Sequence, residues 1–248
     1  ISLYLSSSGF DVVATGRSEG KLSRLSTDCE AIGGKIKLFE MDVRDPCSVI
    51  KVRTSLRKMG VEVECLVNNA GFGLWGPVFH IKDEEIMDQF DTNLFGPMRV
   101  NRIFLDDMIK NKNGRIINIG SVLGRFASPF NGSYVASKFA LEGLNRCLRM
   151  ELAPFGIHVS LIEPGLFDTN FKDNQKVGSE VCLGQSPYDE MMAEYRKKKR
   201  YFRKGSNPDI VARLVKKILL SNRPKARYSA GLDAKLSLAL NSLLPDRL

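Results

Sequence analysis

The sequence predicts an α/β protein: a doubly wound, mostly parallel sheet with helices on both faces. Two observations predict it. Short apolar or alternating runs of strand length take turns with longer helical stretches, the order a parallel sheet requires. Polar or glycine-containing clusters also follow the apolar runs, with Arg17, Asp42, Asn69, Ser121 and Pro164-Gly165 each just past one. Ligands of such sheets bind beyond the carboxyl ends of the strands, so the five clusters together point to one cleft.

The elements follow in order. Val12 to Thr15 reads as a buried strand ending at Gly16-Arg17, and Lys21 to Ile32 as a helix closed by Gly33-Gly34. Ile36 to Met41 alternates as a strand does and ends at Asp42-Val43. Pro46 opens a helix to about Met59. Cys65 to Val67 is a short strand leading into Asn68-Asn69-Ala70-Gly71, and Asp83 to about Lys112 a long helix that Pro97 should either bend or deprive of a hydrogen bond. Arg115 to Ile119 is a strand, Tyr134 to about Pro154 a helix and Ile157 to Ile162 a strand before Glu163-Pro164-Gly165. The polar stretch from Phe171 to Ser206 reads as part loop, part helix. Pro208 to Ser221 is helical, Ala226 to Ala230 a strand and Ala234 to Leu244 an amphipathic helix whose leucines could pack on the sheet or touch a membrane, with packing expected.

The 248 residues, 43% of them hydrophobic, suffice to bury one core. No repeat or linker divides them, so 1–248 is expected to be a single domain. Cys29, Cys47, Cys65, Cys147 and Cys182 are scattered and odd in number, which suggests neither a disulfide framework nor a zinc site. That usage fits a reducing compartment, and a cytoplasmic location is expected. No apolar stretch is long enough to span a bilayer. The net charge of +9 suits a polyanionic cofactor, nucleic acid or an anionic membrane, or only a solvated surface.

Tyr134 and Lys138 lie four residues apart, and Ser121 ends the apolar run upstream. On a helix that spacing shares a face, so an ammonium can lie beside a phenol. A phenol ordinarily titrates near pH ~10, and bringing it to neutrality takes about 4 kcal/mol, which a fixed cation is expected to supply in large part. His80 and His158 are far apart and read as structural, which argues against a Ser-His-Asp hydrolase. No cluster suggests a metal.

These residues resemble the short-chain dehydrogenase/reductase family over nearly the whole chain. Asn68-Asn69-Ala70-Gly71 is similar to its Asn-Asn-Ala-Gly motif, Asn93 to its helix asparagine, Ser121, Tyr134 and Lys138 to its serine and Tyr-x-x-x-Lys pair, and Pro164-Gly165 with Thr169 to its Pro-Gly…Thr segment. Gly124-Arg125-Phe126 and Ala140 to Gly143 look most like the branch of 17β-hydroxysteroid and retinol dehydrogenases. The resemblance implies a Rossmann-type fold and hydride transfer with a nicotinamide cofactor. Tyr134 would be the acid/base and Ser121 the donor to the substrate oxygen. Lys138 would lower the phenol and hold the nicotinamide ribose. Asn93 would hold a linking water, or only satisfy helix backbone near Pro97. Arg17 and Ser18 suit a ribose 2′-phosphate, so NADP(H) is expected over NAD(H). Asp42, Val43, Asn69, Ala70, Gly71, Pro164, Gly165 and Thr169 would complete the cofactor site.

The family's opening strand and glycine-rich turn are missing. Ile1 to Phe10 reads as the back half of the helix that should follow that turn, and the chain is expected to be an amino-terminally truncated piece. The missing strand belongs in the middle of the sheet, so its neighbours should each lose a partner.

Phe72, Leu74, Trp75, Val122, Leu123, Phe126 and Phe130 follow the strand ends. They either line an oily pocket or pack under a lid at about 166–206, which is expected to close over ligands. Steroid-, retinoid- or fatty-carbonyl-like alcohols and ketones are the substrates the resemblance implies, with a homodimer or tetramer through the helices carrying Asn93 and Tyr134. Arg196 to Arg200, among Tyr195, Tyr201 and Phe202, is the rival feature. It reads first as a solvated helix face. The alternative is a catalytically silent dinucleotide-binding or membrane-peripheral protein using the basic segment 196–204, although nucleic acid and membrane contact are not favoured.

Overall fold

The computed structural model describes residues 1–171, 174–181, 184, 186–201 and 205–243. Cys182, Phe202 and Leu244 lie outside them. The first half runs α1 (Ser2–Ser7), β1 (Val12–Gly16), α2 (Glu19–Ala31), β2 (Ile36–Glu40), α3 (Pro46–Lys58), β3 (Cys65–Asn68), β4 (Leu74–Trp75) and α4 (Asp83–Phe90). A π-helical turn, Asp91–Phe95, leads into α5 (Gly96–Asn111). Then come β5 (Gly114–Ile119), α6 (Gly132–Leu152), β6 (Ile157–Pro164), β7 (Lys176–Val177), α7 (Asp189–Tyr201), α8 (Asp209–Leu219), β8 (Arg227–Ala230) and α9 (Leu232–Leu243). Local chemistry sets several starts. The Ser18 hydroxyl caps α2 at Lys21 N, and the Asp45 carboxylate caps α3 at Cys47 N with Pro46 behind it.

Among the described residues the sheet's strand pairs are all parallel, but it is built in two hydrogen-bonded pieces, β1-β2 and β3-β5-β6-β8. Among the described residues no strand bonds β1 to β3. The pieces nevertheless share both helical layers. On one face Val13 and Leu66 meet the core of α3 and α5, which includes Val49, Val52, Val100, Phe104 and Met108. On the other, Val12, Cys65 and Val67 meet Leu5 of α1 and Val211, Val215 and Ile218 of α8. The break therefore falls inside one doubly wound core.

Two expectations need correction. The helix from Asp83 is not continuous: it widens into the π-turn, where Gly96 N bonds to Asp91 O, before Pro97 rather than at it. Pro97 has no N–H to give the carbonyl of Asn93 four residues back, which loosens the preceding turn. In α9, Ala234 is buried, but Leu232, Leu236, Leu240 and Leu243 are exposed on the outer face instead of packed on the sheet.

Candidate active site

Strand ends gather the site. Ser121 follows β5 in extended conformation and caps the short turn Val122–Gly124, accepting from Leu123 N at 3.1 Å. α6 starts eleven residues later and carries Tyr134 and Lys138 on its inward face. Both are buried, Tyr134 at 8% and Lys138 at 6% relative exposure. Ser121 acts on the Tyr134 phenol and pulls its proton affinity down. Lys138 Nζ donates to Ile119 O at 2.9 Å and lies 5.7 Å from the Tyr134 ring centroid.

The electrostatics differ from the expectation that Lys138 lowers the phenol. Burial dominates: it pushes Tyr134 up to about 12 against the pull of Ser121, and pushes Lys138 down to about 8. Each charged form loses hydration in the same dry pocket, and the ammonium spends its donor on a carbonyl.

Asn93 is held by the π-turn. Its Oδ1 accepts from Phe72 N at 3.1 Å, and its Nδ2 donates to Phe72 O at 3.1 Å and Ser137 Oγ at 3.0 Å. The amide thus ties the chain after β3 to α6. Gly71 passes between them: a Cβ there would lie 3.0 Å from Asn93 Oδ1 and 3.8 Å from Lys138 Nζ. A side chain would press on the asparagine that the motif positions.

The other expected cofactor residues line the same edge. Arg17 and Ser18 follow β1, both exposed, and the Ser18 oxygen already caps α2. Asp42 follows β2. Its carboxylate accepts from Arg44 Nε and Nη2, which holds it below its ordinary range. Val43 packs beside Gly96, and Asn69 and Ala70 are exposed after β3. Pro164 ends β6, Gly165 N bonds to Ala230 O, and Thr169 Oγ1 accepts from Phe171 N at 3.3 Å.

Of the two readings of the apolar loops, the geometry favours the lid for some residues. Trp75 and Phe130 are buried with Met192 of α7, and Tyr195 meets Phe130 edge-on at 5.6 Å. Phe72 is buried with Leu74, while Leu123 and Phe126 stay half-buried near Ser121. β7 pairs with β4, which draws the lid segment across the cleft. Phe130 holds a left-handed backbone at φ 60°, an uncommon conformation for a non-glycine residue and one found often at functional sites.

Three features escaped the sequence. Arg44 bridges Asp42 and Asp88, the latter also held by Lys176 of the lid at 2.7 Å. Phe171 lays its ring 5.7 Å from that of Tyr134. An asparagine ladder joins Asn68, Asn101, Asn118 and Asn145 beneath the site. Amides recurring inside apolar strands were the available signal for the last.

A parallel doubly wound sheet with a serine, a tyrosine and a lysine gathered at its carboxyl edge defines a dinucleotide-type oxidoreductase architecture. The chain belongs to the short-chain dehydrogenase/reductase family, in the branch with hydroxysteroid and retinol dehydrogenases: the family profile described as short chain dehydrogenase matches residues 1–179. Human 17-beta-hydroxysteroid dehydrogenase type 1 is 35% identical over 229 residues, covering 90% of this chain and 69% of that protein. Human retinol dehydrogenase 8 is 35% identical over 227 residues, covering 88% and 71%. Among solved structures, a short-chain dehydrogenase from Streptomyces avermitilis superposes with a TM-score of 0.82 at 30% identity, covering 95% of this chain and 85% of that one. A metagenomic short-chain oxidoreductase in complex with NADP gives 0.69 at 27% identity, covering 93% and 90%. No helix among the described residues is long and apolar enough to cross a membrane.

Proposed function

We propose that the chain is an NADP(H)-dependent oxidoreductase that interconverts an apolar alcohol with its ketone or aldehyde. The observation that carries this is the convergence of buried Tyr134 and Lys138, one helical turn apart on α6, with Ser121 at the end of β5. The steroid and retinoid names of its relatives, and the apolar walls around the site, support a steroid-, retinoid- or fatty-carbonyl-like substrate. Exposed Phe139 and Met150 on α6 support self-association through that helix.

The chain's residues fit the cofactor at one place: exposed Arg17 at the end of β1 suits a 2′-phosphate. Arg17 would hold that phosphate and Lys138 the nicotinamide ribose. When bound, the nicotinamide supplies or takes the hydride. Ser121 holds the substrate oxygen by hydrogen bonding, and Tyr134 gives that oxygen its proton in reduction or takes it in oxidation. Both act where negative charge develops, which favours the transition state over the ground state.

The test follows absorbance of the reduced nicotinamide with a panel of carbonyls and alcohols, with the opening strand and glycine turn supplied. Turnover of an apolar ketone or aldehyde is expected, and none with any member of the panel overturns the reading. Arg17→Asp should raise the KM for NADPH roughly 10- to 100-fold, since a bidentate charged contact is lost and a like charge gained, and should spare NADH. Equal losses for both cofactors would remove Arg17 from the phosphate site. Carbonyl reduction should also fall as pH rises past about 8, where the buried Lys138 sheds the charge with which it would hold the nicotinamide ribose. A rate flat to well above that pH contradicts a role for the ammonium.

A further inference from the structure

We propose that Asp88 of α4 is a positioning residue: held by Arg44 on the side of the expected cofactor rim, it latches the substrate lid through Lys176. This names what fastens the lid of the redox site, and it rests on the redox reading only for its kinetic consequence.

The lid strand needs a fastener. β7 is two residues long, and Lys176 and Val177 are both exposed. Two backbone bonds join this stretch to the chain around β4, from Lys176 N to Gly73 O at 2.9 Å and from Gly178 N to Trp75 O at 3.0 Å. A ladder this short does not hold on its own. The nearest apolar anchor lies past it, where Val181 packs against the cluster of Phe72, Leu74 and Ile81.

The helix beside the lid supplies the rest. Lys82 at the N-cap of α4, Glu85 and Asp88 recur every three residues, so they follow one another along one side of the helix. All three reach the lid. Lys82 Nζ lies 3.6 Å from Glu180 Oε1, Glu85 Oε1 accepts from Ser179 N at 2.9 Å, and Asp88 Oδ2 accepts from Lys176 Nζ at 2.7 Å.

Asp88 differs from the other two in being held from behind. Its Oδ1 accepts from Arg44 Nη1 at 2.7 Å, and Arg44 gives Nε and Nη2 to Asp42 at the end of β2. One carboxylate oxygen is thus fixed toward the rim and the other is presented to the lid. This matters because two freely moving surface charges contribute little when they pair. The Asp88 side chain is 27% exposed against 59% for Lys176, so the carboxylate is the set half of the latch. The lysine is guided too: its Nζ lies over the Phe72 ring at 4.5 Å. Asn93 holds both the N–H and the carbonyl of Phe72, and Gln89 Nε2 donates to the same carbonyl at 3.0 Å. Lys176 therefore joins the lid to the loop that Asn93 ties to α6.

The test is hydrogen–deuterium exchange of the 248-residue chain, read by mass spectrometry on peptides covering 174–181 and on peptides from β5 and β6. Wild type is compared with Asp88→Asn, Lys176→Met and the two together. Methionine keeps a long apolar stem over Phe72 and removes the charge. Each single variant should speed exchange at 174–181 roughly 2- to 5-fold and leave β5 and β6 unmoved. The double variant should exchange no faster than the faster single, since both cut the same bond. Added salt should speed the wild-type lid more than that of Lys176→Met. With the opening strand and glycine turn supplied, Lys176→Met should raise the KM for an apolar ketone by a similar factor and move kcat less, because the lysine meets Asp88 and Phe72 and not the reacting groups. Absence of turnover with every carbonyl would count against the redox reading alone, and exchange would still decide the latch. Four results overturn the proposal: lid exchange unmoved by both single variants, acceleration that spreads equally through β5 and β6, a double variant whose effect is the product of the singles, or an unchanged KM where turnover is present.

Discussion

Tyr134→Phe should lower kcat for carbonyl reduction roughly 10²- to 10⁴-fold and leave cofactor affinity unchanged, because positioned acid–base catalysis is worth about that much. The phenylalanine keeps the ring that packs 5.7 Å from Phe171 and removes only the phenol oxygen. Loss of packing therefore cannot account for the expected drop. The buried pocket sharpens this prediction. With the phenol pushed up to about 12, Tyr134 keeps its proton at neutral pH and is ready to donate it. The reverse reaction needs the phenolate, so oxidation should rise with pH while reduction does not. Equal turnover of Tyr134→Phe and wild type would remove the tyrosine from the chemistry. A large loss with weakened cofactor binding would instead make it a structural support.

Spacing made much of this site legible before any coordinates. Ser121, Tyr134 and Lys138 could be placed together because a strand end and a helix face have fixed periods, 2 and 3.6, that convert sequence distance into direction. The cofactor rim was legible for a similar reason: Arg17, Asp42, Asn69 and Pro164 all end apolar runs, and parallel strands end on one side. What stayed hidden depends on partners distant in sequence. Burial, not the neighbouring lysine, sets the phenol's proton affinity, and Phe171, thirty-seven residues away in sequence, packs on the phenol ring. Arg44 reads as one more loop cation until the fold brings Asp88 against it at 2.7 Å. The same local pattern of aromatics describes Trp75 in a pocket or Trp75 beneath α7, and only tertiary packing separates them. The π-turn at Asn93 needed knowledge of which carbonyl Pro97 would leave unbonded.

Supplying an apolar strand and a glycine-rich turn ahead of Ile1 should tighten NADP(H) binding roughly a hundredfold to ten-thousandfold. The sheet's break is the physical ground. β1 and β3 share both helical layers, yet no described strand bonds them, so two parallel edges face one another inside a common core. A strand between them would satisfy backbone groups that are costly to leave unpaired when buried. It would also end at the same carboxyl edge as Arg17, Asn69 and Ser121. The turn after it would bring backbone N–H groups and a helix N-terminus to the pyrophosphate. Two hydrogen bonds to a charged group, each worth about 1.5–3 kcal/mol, account for an effect of this size. The added ladder should raise the melting temperature too, which separates mended folding from a new anion site. Replacing the turn's glycines by alanine should then keep the stability gain and lose most of the affinity, since the side chains would keep the phosphate from the backbone. Titration of NADPH fluorescence against the 248-residue chain and the extended one gives the comparison directly. Equal affinities would mean that Arg17 and the rim grip the cofactor without the cradle, and that the open edges play no part in binding.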